Sequence, residues 1–72
     1  MVDSEGRVIY LTRRERELIP LLERGMTYKE IGEELGISWM TVRCLLHLMY
    51  DKLRVKGPNA RVHAVNLWRE GL

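Results

Sequence analysis

The stretch Tyr28–Leu45, YKEIGEELGISWMTVRCL, constrains the fold of this chain more than any other. Gly36 separates two runs whose apolar residues recur at helical spacing, and Ser38 follows it at one remove. Glycine takes the left-handed conformation that a helix end needs without Cβ strain. A serine hydroxyl accepts a hydrogen bond from the free N–H groups of the helical turn that follows it. The pattern predicts a helix over about Tyr28–Leu35, a tight turn at Gly36 and a second helix starting at Trp39. Ile31, Leu35, Ile37, Val42 and Leu45 are expected to meet in the angle between the two, and Gly32 leaves that angle uncrowded so that the backbones approach closely. Apolar anchors, a small residue and a turn glycine at these offsets describe a helix-turn-helix. An ordinary helical hairpin is the alternative reading.

A chain of 72 residues holds one domain with a small core. Its 46% apolar and 31% charged content is that of a globular domain and not of a disordered one. Lysine and arginine outnumber aspartate and glutamate by 12 to 10. So mild an excess permits nucleic-acid binding without arguing for it alone. The single cysteine, Cys44, excludes an internal disulfide and fits a reducing compartment. No apolar run reaches the roughly 18 residues of a membrane span, and no charged-then-apolar leader opens the sequence. The expected location is the cytoplasm, with no membrane partner.

Taken in order, Met1–Gly6 is polar and expected to be loose. Arg7–Leu11 is short and apolar, either an extended arm on the core or the lead-in to the first helix. Thr12 with Glu15 spells a capping box, in which each side chain satisfies the other residue's free N–H. The first helix is predicted from Arg13 to about Arg24, bent locally at Pro20, where an N–H is missing, and ended by Gly25. Thr27 with Glu30 spells a second capping box for the second helix. The third continues beyond the motif, with Val42, Leu45, Leu46, Met49 and Leu53 on one face, and ends near Arg54. Lys56-Gly57-Pro58-Asn59 is a turn cluster with Asn59 as the expected cap of a fourth helix. That helix carries Val62, Ala64, Val65, Leu67 and Trp68 and stops at Gly71. The predicted class is all-α: a compact four-helix domain with a central helix-turn-helix, residues 11–72, behind an N-terminal arm, residues 1–10.

An ordered set of short motifs then comes together: Leu11-Thr12-Arg13-Arg14-Glu15-Arg16-Glu17; Gly25 to Gly32 (GMTYKEIG); Ile37-Ser38; Thr41-Val42-Arg43; Lys52-Leu53 and Val55; Arg61 with Ala64-Val65. From about Leu11 to Leu72 the chain resembles the LuxR/FixJ-type (GerE-like) DNA-binding domain. The resemblance implies four helices with the third in the major groove of double-stranded DNA. It also implies a role in transcription and homodimers paired through the fourth helix on two-fold-related half-sites. Members commonly carry a sensing or receiver domain upstream; with 10 residues ahead of Leu11, no such input is expected in this chain. Three departures stand out. Leu45 replaces a usual His, Arg54 a usual Gly, and about three additional residues lie between Gly57 and Arg61, which bears on the placement of the fourth helix and on dimer geometry.

In a helix-turn-helix the exposed side near the start of the second motif helix faces base edges, and surrounding groups hold phosphates. With Val42, Leu45 and Leu46 inward, the opposite face carries Trp39, Met40, Arg43, Cys44, His47 and Leu48. By resemblance Arg43, Cys44 and His47 stand where family members touch bases, and Met40 shares their face. Arg43 has the strongest chemistry, because a guanidinium bonds O6 and N7 of guanine together. Taken alone it is more often a solvated surface arginine than a base reader. His47 either donates to a base or phosphate or is solvated, and Cys44 offers a small contact suited to a thymine methyl. Thr27, Tyr28, Lys29 and Thr41 are the phosphate candidates, since free N–H groups and the helix dipole at a helix start attract an anion. Thr27 is a cap in either case, and Lys29 also reads as a solvated lysine.

Other chemistries find no support. Cys44 and His47 lie one turn apart, but two ligands do not make a metal site and His63 is on another helix. There is no nucleophile with a base and an orienting acid, and no glycine-rich phosphate loop, so no enzyme, metal or cofactor is expected. The carboxylates Glu15, Glu17, Glu30, Glu33 and Glu34 read as helix-start and surface charges. A second function class stays open, a protein-interaction adaptor on the same fold docking onto a transcription factor or RNA polymerase. The apolar Trp39, Met40 and Leu48 favour it, whereas Lys29, Thr41 and Arg43 favour DNA. On the fourth helix, Val62, Val65 and Trp68 are the expected dimer contacts, because its apolar residues spread over more than one buried stripe of about 100°. Packing of Trp68 on the first helix or the arm is the alternative.

Overall fold

Both predicted capping boxes form. Thr12 Oγ1 accepts from the Glu15 N–H at 3.2 Å while the Thr12 N–H donates to Glu15 Oε1 at 2.8 Å. Thr27 and Glu30 repeat the arrangement at 3.2 and 2.9 Å. A computed structural model describes residues 1–71. From these caps run α1 (Arg13–Glu23) and α2 (Tyr28–Leu35), followed by α3 (Trp39–Leu53) and α4 (Ala60–Glu70). Among the described residues there is no strand beyond an isolated antiparallel bridge between Val2 and Val8. The class is all-α. Pro20 sits on the exposed side of α1 and the helix runs through it; the N–H it lacks leaves the carbonyl of the exposed Arg16 without its intrahelical donor.

α3 is central and packs against all three other helices, while α1 and α4 also meet each other. Leu18 and Ile19 of α1, Ile31 of α2, and Val42, Leu46, Met49 and Leu53 of α3 are fully buried there, with Ala64 of α4. Of the five residues expected in the angle between α2 and α3, Ile31 and Val42 are fully buried. Leu35, Ile37 and Leu45 are half-buried and pack on the core from its edge. Gly36 holds φ +71°, the left-handed turn, and the Ile37 N–H closes it on the Gly32 carbonyl at 2.9 Å. A Cβ on Gly32 would lie 2.6 Å from the Ile37 carbonyl oxygen and 3.3 Å from the Trp39 nitrogen. Only glycine fits this crossing.

Four readings of the sequence are corrected. Met1–Gly6 is not loose: it folds back as a small hairpin, with Asp3 N–H on the Arg7 carbonyl at 2.9 Å and Ile9 N–H on that of Met1 at 3.0 Å. The buried Asp3 carboxylate accepts from the Arg7 and Glu5 N–H groups at 2.9 and 2.8 Å. The Arg7 bond is the chief reason that its acidity is raised, with burial opposing and the Glu5 N–H and the Arg54 charge adding to it. Glu15 is not a surface charge but buried, with Lys52 of α3 at 2.7 Å. Burial is the largest single influence on its carboxyl and pushes it up, yet the hydrogen bonds from Lys52 and Thr12 together hold it below the usual carboxylate range. Asn59 makes no side-chain cap; at φ −100° and ψ 10° its backbone is not in the extended region from which a capping side chain reaches the next turn. Leu35, finally, expected in the angle between α2 and α3, is only half-buried at its edge, as are Ile37 and Leu45.

α3 ends at Arg54, which takes φ +56°, the one left-handed non-glycine residue among those described. The hairpin closes this end: the Ser4 N–H donates to the Leu53 carbonyl at 2.8 Å and its hydroxyl to that of Arg54 at 2.6 Å. The Arg54 guanidinium lies 2.9 Å from Glu5 and 3.8 Å from Asp3. Arg61 fastens α4 by donating to the Leu22 and Met26 carbonyls at 3.1 and 2.6 Å.

Candidate nucleic-acid interface

The exposed side of α3 follows from its buried side. With Val42, Leu46, Met49 and Leu53 turned inward, helical spacing leaves Met40, Arg43, Cys44 and His47 outward, and all four are exposed. Together with Trp39 and Leu48 they line one shallow depression of about 540 Å³. All four residues expected at base edges thus share one surface with two apolar neighbours, Trp39 and Leu48, exposed by 50% and 57%.

Beside that face stands the start of α2. Thr27, Tyr28 and Lys29 line a second depression, of about 380 Å³, whose fourth wall is Trp39. Trp39 therefore joins the two surfaces, a position that no spacing within one helix reveals because it depends on how α2 and α3 cross. The capping box uses the Glu30 N–H and the Thr27 N–H. Among the described residues the Tyr28 and Lys29 N–H groups, the first of α2, have no such partner, and they lie at the positive end of its dipole. The Thr27 hydroxyl accepts from Glu30 and keeps its own proton to donate. The Glu30 carboxyl is drawn below the usual range, chiefly by the Thr27 N–H.

At the start of α3, Ser38 Oγ accepts from the Thr41 N–H at 3.1 Å and lies 2.9 Å from the Thr41 hydroxyl. Thr41 is thus tied into the cap while remaining exposed. Its two jobs coexist, since a hydroxyl has one proton and two lone pairs.

Charge is distributed unevenly. Arg13, Arg14, Lys52, Arg54 and Arg69 are held in ion pairs with carboxylates. Among the described residues neither Lys29 nor Arg43 pairs with an acid, and no carboxylate lines either depression. Lys29 and Arg43 are therefore free to meet an anion; among the described residues Arg7, Arg16, Arg24 and Lys56 are likewise without an ion pair. Cys44 is a free, exposed thiol beside His47. Among the described residues no three His, Cys, Asp or Glu side chains gather as metal ligands.

The three expected dimer residues of α4 are placed differently from one another. Val62 is 59% exposed, Val65 is buried in the chain's own core, and Trp68 is half-buried against it. Trp68 shares a small cleft with Met1, Ile9, Leu11 and Arg16, the side of the arm and α1. Most of the apolar surplus of α4 is therefore covered within the chain.

This geometry agrees with what the chain resembles in sequence. Residues 10–67 match the family described as bacterial regulatory proteins, luxR family. The chain belongs to this family. Among its relatives is the spore germination protein GerE of Bacillus subtilis, 48% identical over 61 residues, covering 85% of this chain and 80% of that protein. The transcriptional regulatory protein DesR of the same organism is 38% identical over 70 residues, 97% of this chain but 34% of DesR. YhjB of Escherichia coli, named as a putative HTH-type transcriptional regulator, is 37% identical over 57 residues, 79% of this chain and 28% of YhjB. The chain thus spans most of one luxR-family relative and about a third of the other two. No solved structure matches it. Among the described residues no helix is long and apolar enough to cross a membrane.

Proposed function

We propose that this protein is a sequence-specific regulator of transcription that binds double-stranded DNA with α3 in the major groove. One observation carries the reading: the exposed face of α3 gathers Arg43, Cys44, His47 and Met40 next to an unpaired Lys29 and the free N–H groups of α2. Base edges meet α3, with Arg43 donating to O6 and N7 of a guanine, while Thr27, Tyr28, Lys29 and Thr41 hold the flanking phosphates. Membership of a family of regulatory proteins supports this reading, as do relatives named as transcriptional regulators. The working location is the cytoplasm, and no catalysis is assigned.

Arg43→Ala is expected to weaken binding to a selected site by about 1–3 kcal/mol, the range for a lost bidentate base contact. The fold should be unaffected, because Arg43 is exposed. Equal affinity at equal salt would end the proposed docking. The exposed Trp39, Met40 and Leu48 favour a second reading, an adaptor that docks onto a protein of the transcription machinery. A salt titration separates the two. Phosphate contacts make log K fall steeply with log salt, whereas a protein-docking module binds arbitrary duplex weakly even at low salt.

Two copies are proposed to pair through α4 about a two-fold axis, which would present two α3 helices to related half-sites. Val62 is the free apolar contact, with the half-buried Trp68 further along the helix, while Val65 is turned into the chain's own core. Sedimentation at tens of micromolar should give a dimer, and Val62→Glu a monomer with an unchanged melting temperature. A parent that stays monomeric removes the pairing.

A further inference from the structure

The face of α3 that carries Arg43 is mostly apolar. Trp39, Met40 and Leu48 are 50%, 59% and 57% exposed, and with Cys44 they form four of the six side chains around the depression. A cluster of exposed apolar side chains marks a surface that something covers. Trp39 is also a wall of the depression lined by Thr27, Tyr28 and Lys29, so an occupant of the α3 face lies next to the start of α2. That occupant must therefore present an apolar group to α3 and an anion to the start of α2. Duplex DNA does both at one place, since the thymine C5-methyl is the one apolar group that a base pair offers to the major groove.

The lining also says which bases are not read. It contains no Asn or Gln to bond N6 and N7 of adenine together, and no Asp or Glu to accept from N4 of cytosine. A cytosine or adenine edge set against Met40 or Cys44 would leave its polar groups without partners, a costly arrangement. Arg43 and His47 are the polar exceptions, and Arg43 suits guanine. Met40, Cys44 and Leu48 follow one another at intervals of four residues, one row along the helix. Each interval rises about 6 Å along α3, and because a major-groove helix is inclined to the DNA axis, steps of this length set successive apolar contacts on neighbouring base pairs.

We infer that this face selects its DNA by thymine methyl groups, with Met40 and Cys44 as the specificity-determining contacts, Leu48 extending the row and Arg43 adding one guanine. The inference rests on the DNA-binding reading above and names the bases that this reading leaves open.

The test begins with duplexes selected from a random library by the full chain. Each thymine of the enriched site is then replaced singly by deoxyuridine, which keeps base pairing and removes only the methyl group. At fixed salt, one or two replacements should weaken binding about fourfold each, the worth of about 0.8 kcal/mol for one buried methyl-sized group. Other replacements should be silent. Met40→Ala, which removes an exposed side chain, should bind the thymine and deoxyuridine forms alike at one of those positions. Arg43→Ala should keep the discrimination while losing affinity. If every deoxyuridine form binds like the parent site, or if Met40→Ala, Cys44→Ala and Leu48→Ala each keep the full preference, the inference falls and DNA binding stands. If no sequence is enriched and binding shows no salt dependence, both readings fall, and a protein partner for the apolar face takes their place.

Discussion

The corner between α2 and α3 and the attachments of the chain's two ends are held by different physics. At the corner everything is local. Gly36 turns the chain, the Ile37 N–H returns to Gly32, and Ser38 caps the next helix, all within seven residues. α4 shares the core through Ala60, Ala64, Val65 and Leu67, and the arm and α4 are fastened further by long-range polar ties: Ser4 on the carbonyls of Leu53 and Arg54, Arg61 on those of Leu22 and Met26, and Arg69 on Glu23 at 2.8 Å. The corner carries the exposed face of α3 and cannot shift without tilting it. The ends position that face only indirectly, so they tolerate more change. The corner is steric and unforgiving, and the ties of the ends are electrostatic and adjustable.

Gly32→Ala tests the steric half and should have the largest effect. The added Cβ meets backbone atoms, 2.6 Å from one carbonyl oxygen, and backbone yields far less than the tip of a flexible side chain. Overpacking of this kind costs about 1–3 kcal/mol and occasionally more, while alanine's better helix propensity returns at most about 1 kcal/mol. A net loss of about 2 kcal/mol is expected in thermal or denaturant unfolding, with DNA affinity falling alongside as α3 tilts. Unchanged stability would mean that the two helices cross more loosely than described.

Arg61→Met tests the polar half. The substitution keeps most of the apolar stem and removes two charged hydrogen bonds, one of them to the Met26 carbonyl. Hydrogen bonds to charged groups contribute about 1.5–3 kcal/mol each. Leu22 O also accepts from the Gly25 N–H, so a loss near the lower end, about 1.5 kcal/mol, is expected, with binding by α3 nearly intact once the protein is folded. A loss of affinity as large as that for Gly32→Ala would contradict the division between corner and ends.

The same division explains what was legible in the sequence. The capping boxes of Thr12 and Thr27, the turn at Gly36 and the Ser38 cap each link residues three to five positions apart, and local chemistry alone identifies them. The outward set Met40, Arg43, Cys44 and His47 follows from helical spacing once Val42 and Leu46 are turned inward. The ties of the ends join residues 35 to 50 positions apart, and no local signal pairs Glu15 with Lys52 or Ser4 with Arg54. Trp39 shows the limit within the site itself. Its exposure is readable, but its place as the shared wall between the α2 start and the α3 face depends on a helix crossing that only Gly32 hints at.

Arg54→Gly sets the two kinds of force against each other at one residue and should have the smallest effect. Arg54 holds φ +56° at the end of α3, a conformation that costs an L-residue roughly 1–2 kcal/mol and glycine nothing. Glycine gives back about 0.5–1 kcal/mol through the greater freedom of its unfolded chain. It also loses the ion pairs to Glu5 and Asp3. The guanidinium is 55% exposed, so these pairs contribute about 0–1 kcal/mol and weaken with salt. Ser4 remains in place, because it bonds backbone carbonyls that the substitution leaves untouched. The expected result is therefore little change at low salt and a gain of up to about 1 kcal/mol at high salt, where the lost ion pairs matter least. Melting curves at both salts read this directly. A loss exceeding about 1 kcal/mol at high salt would show that the hairpin is held by more than charge, and that strain at the end of α3 is relieved by the arm and not merely tolerated.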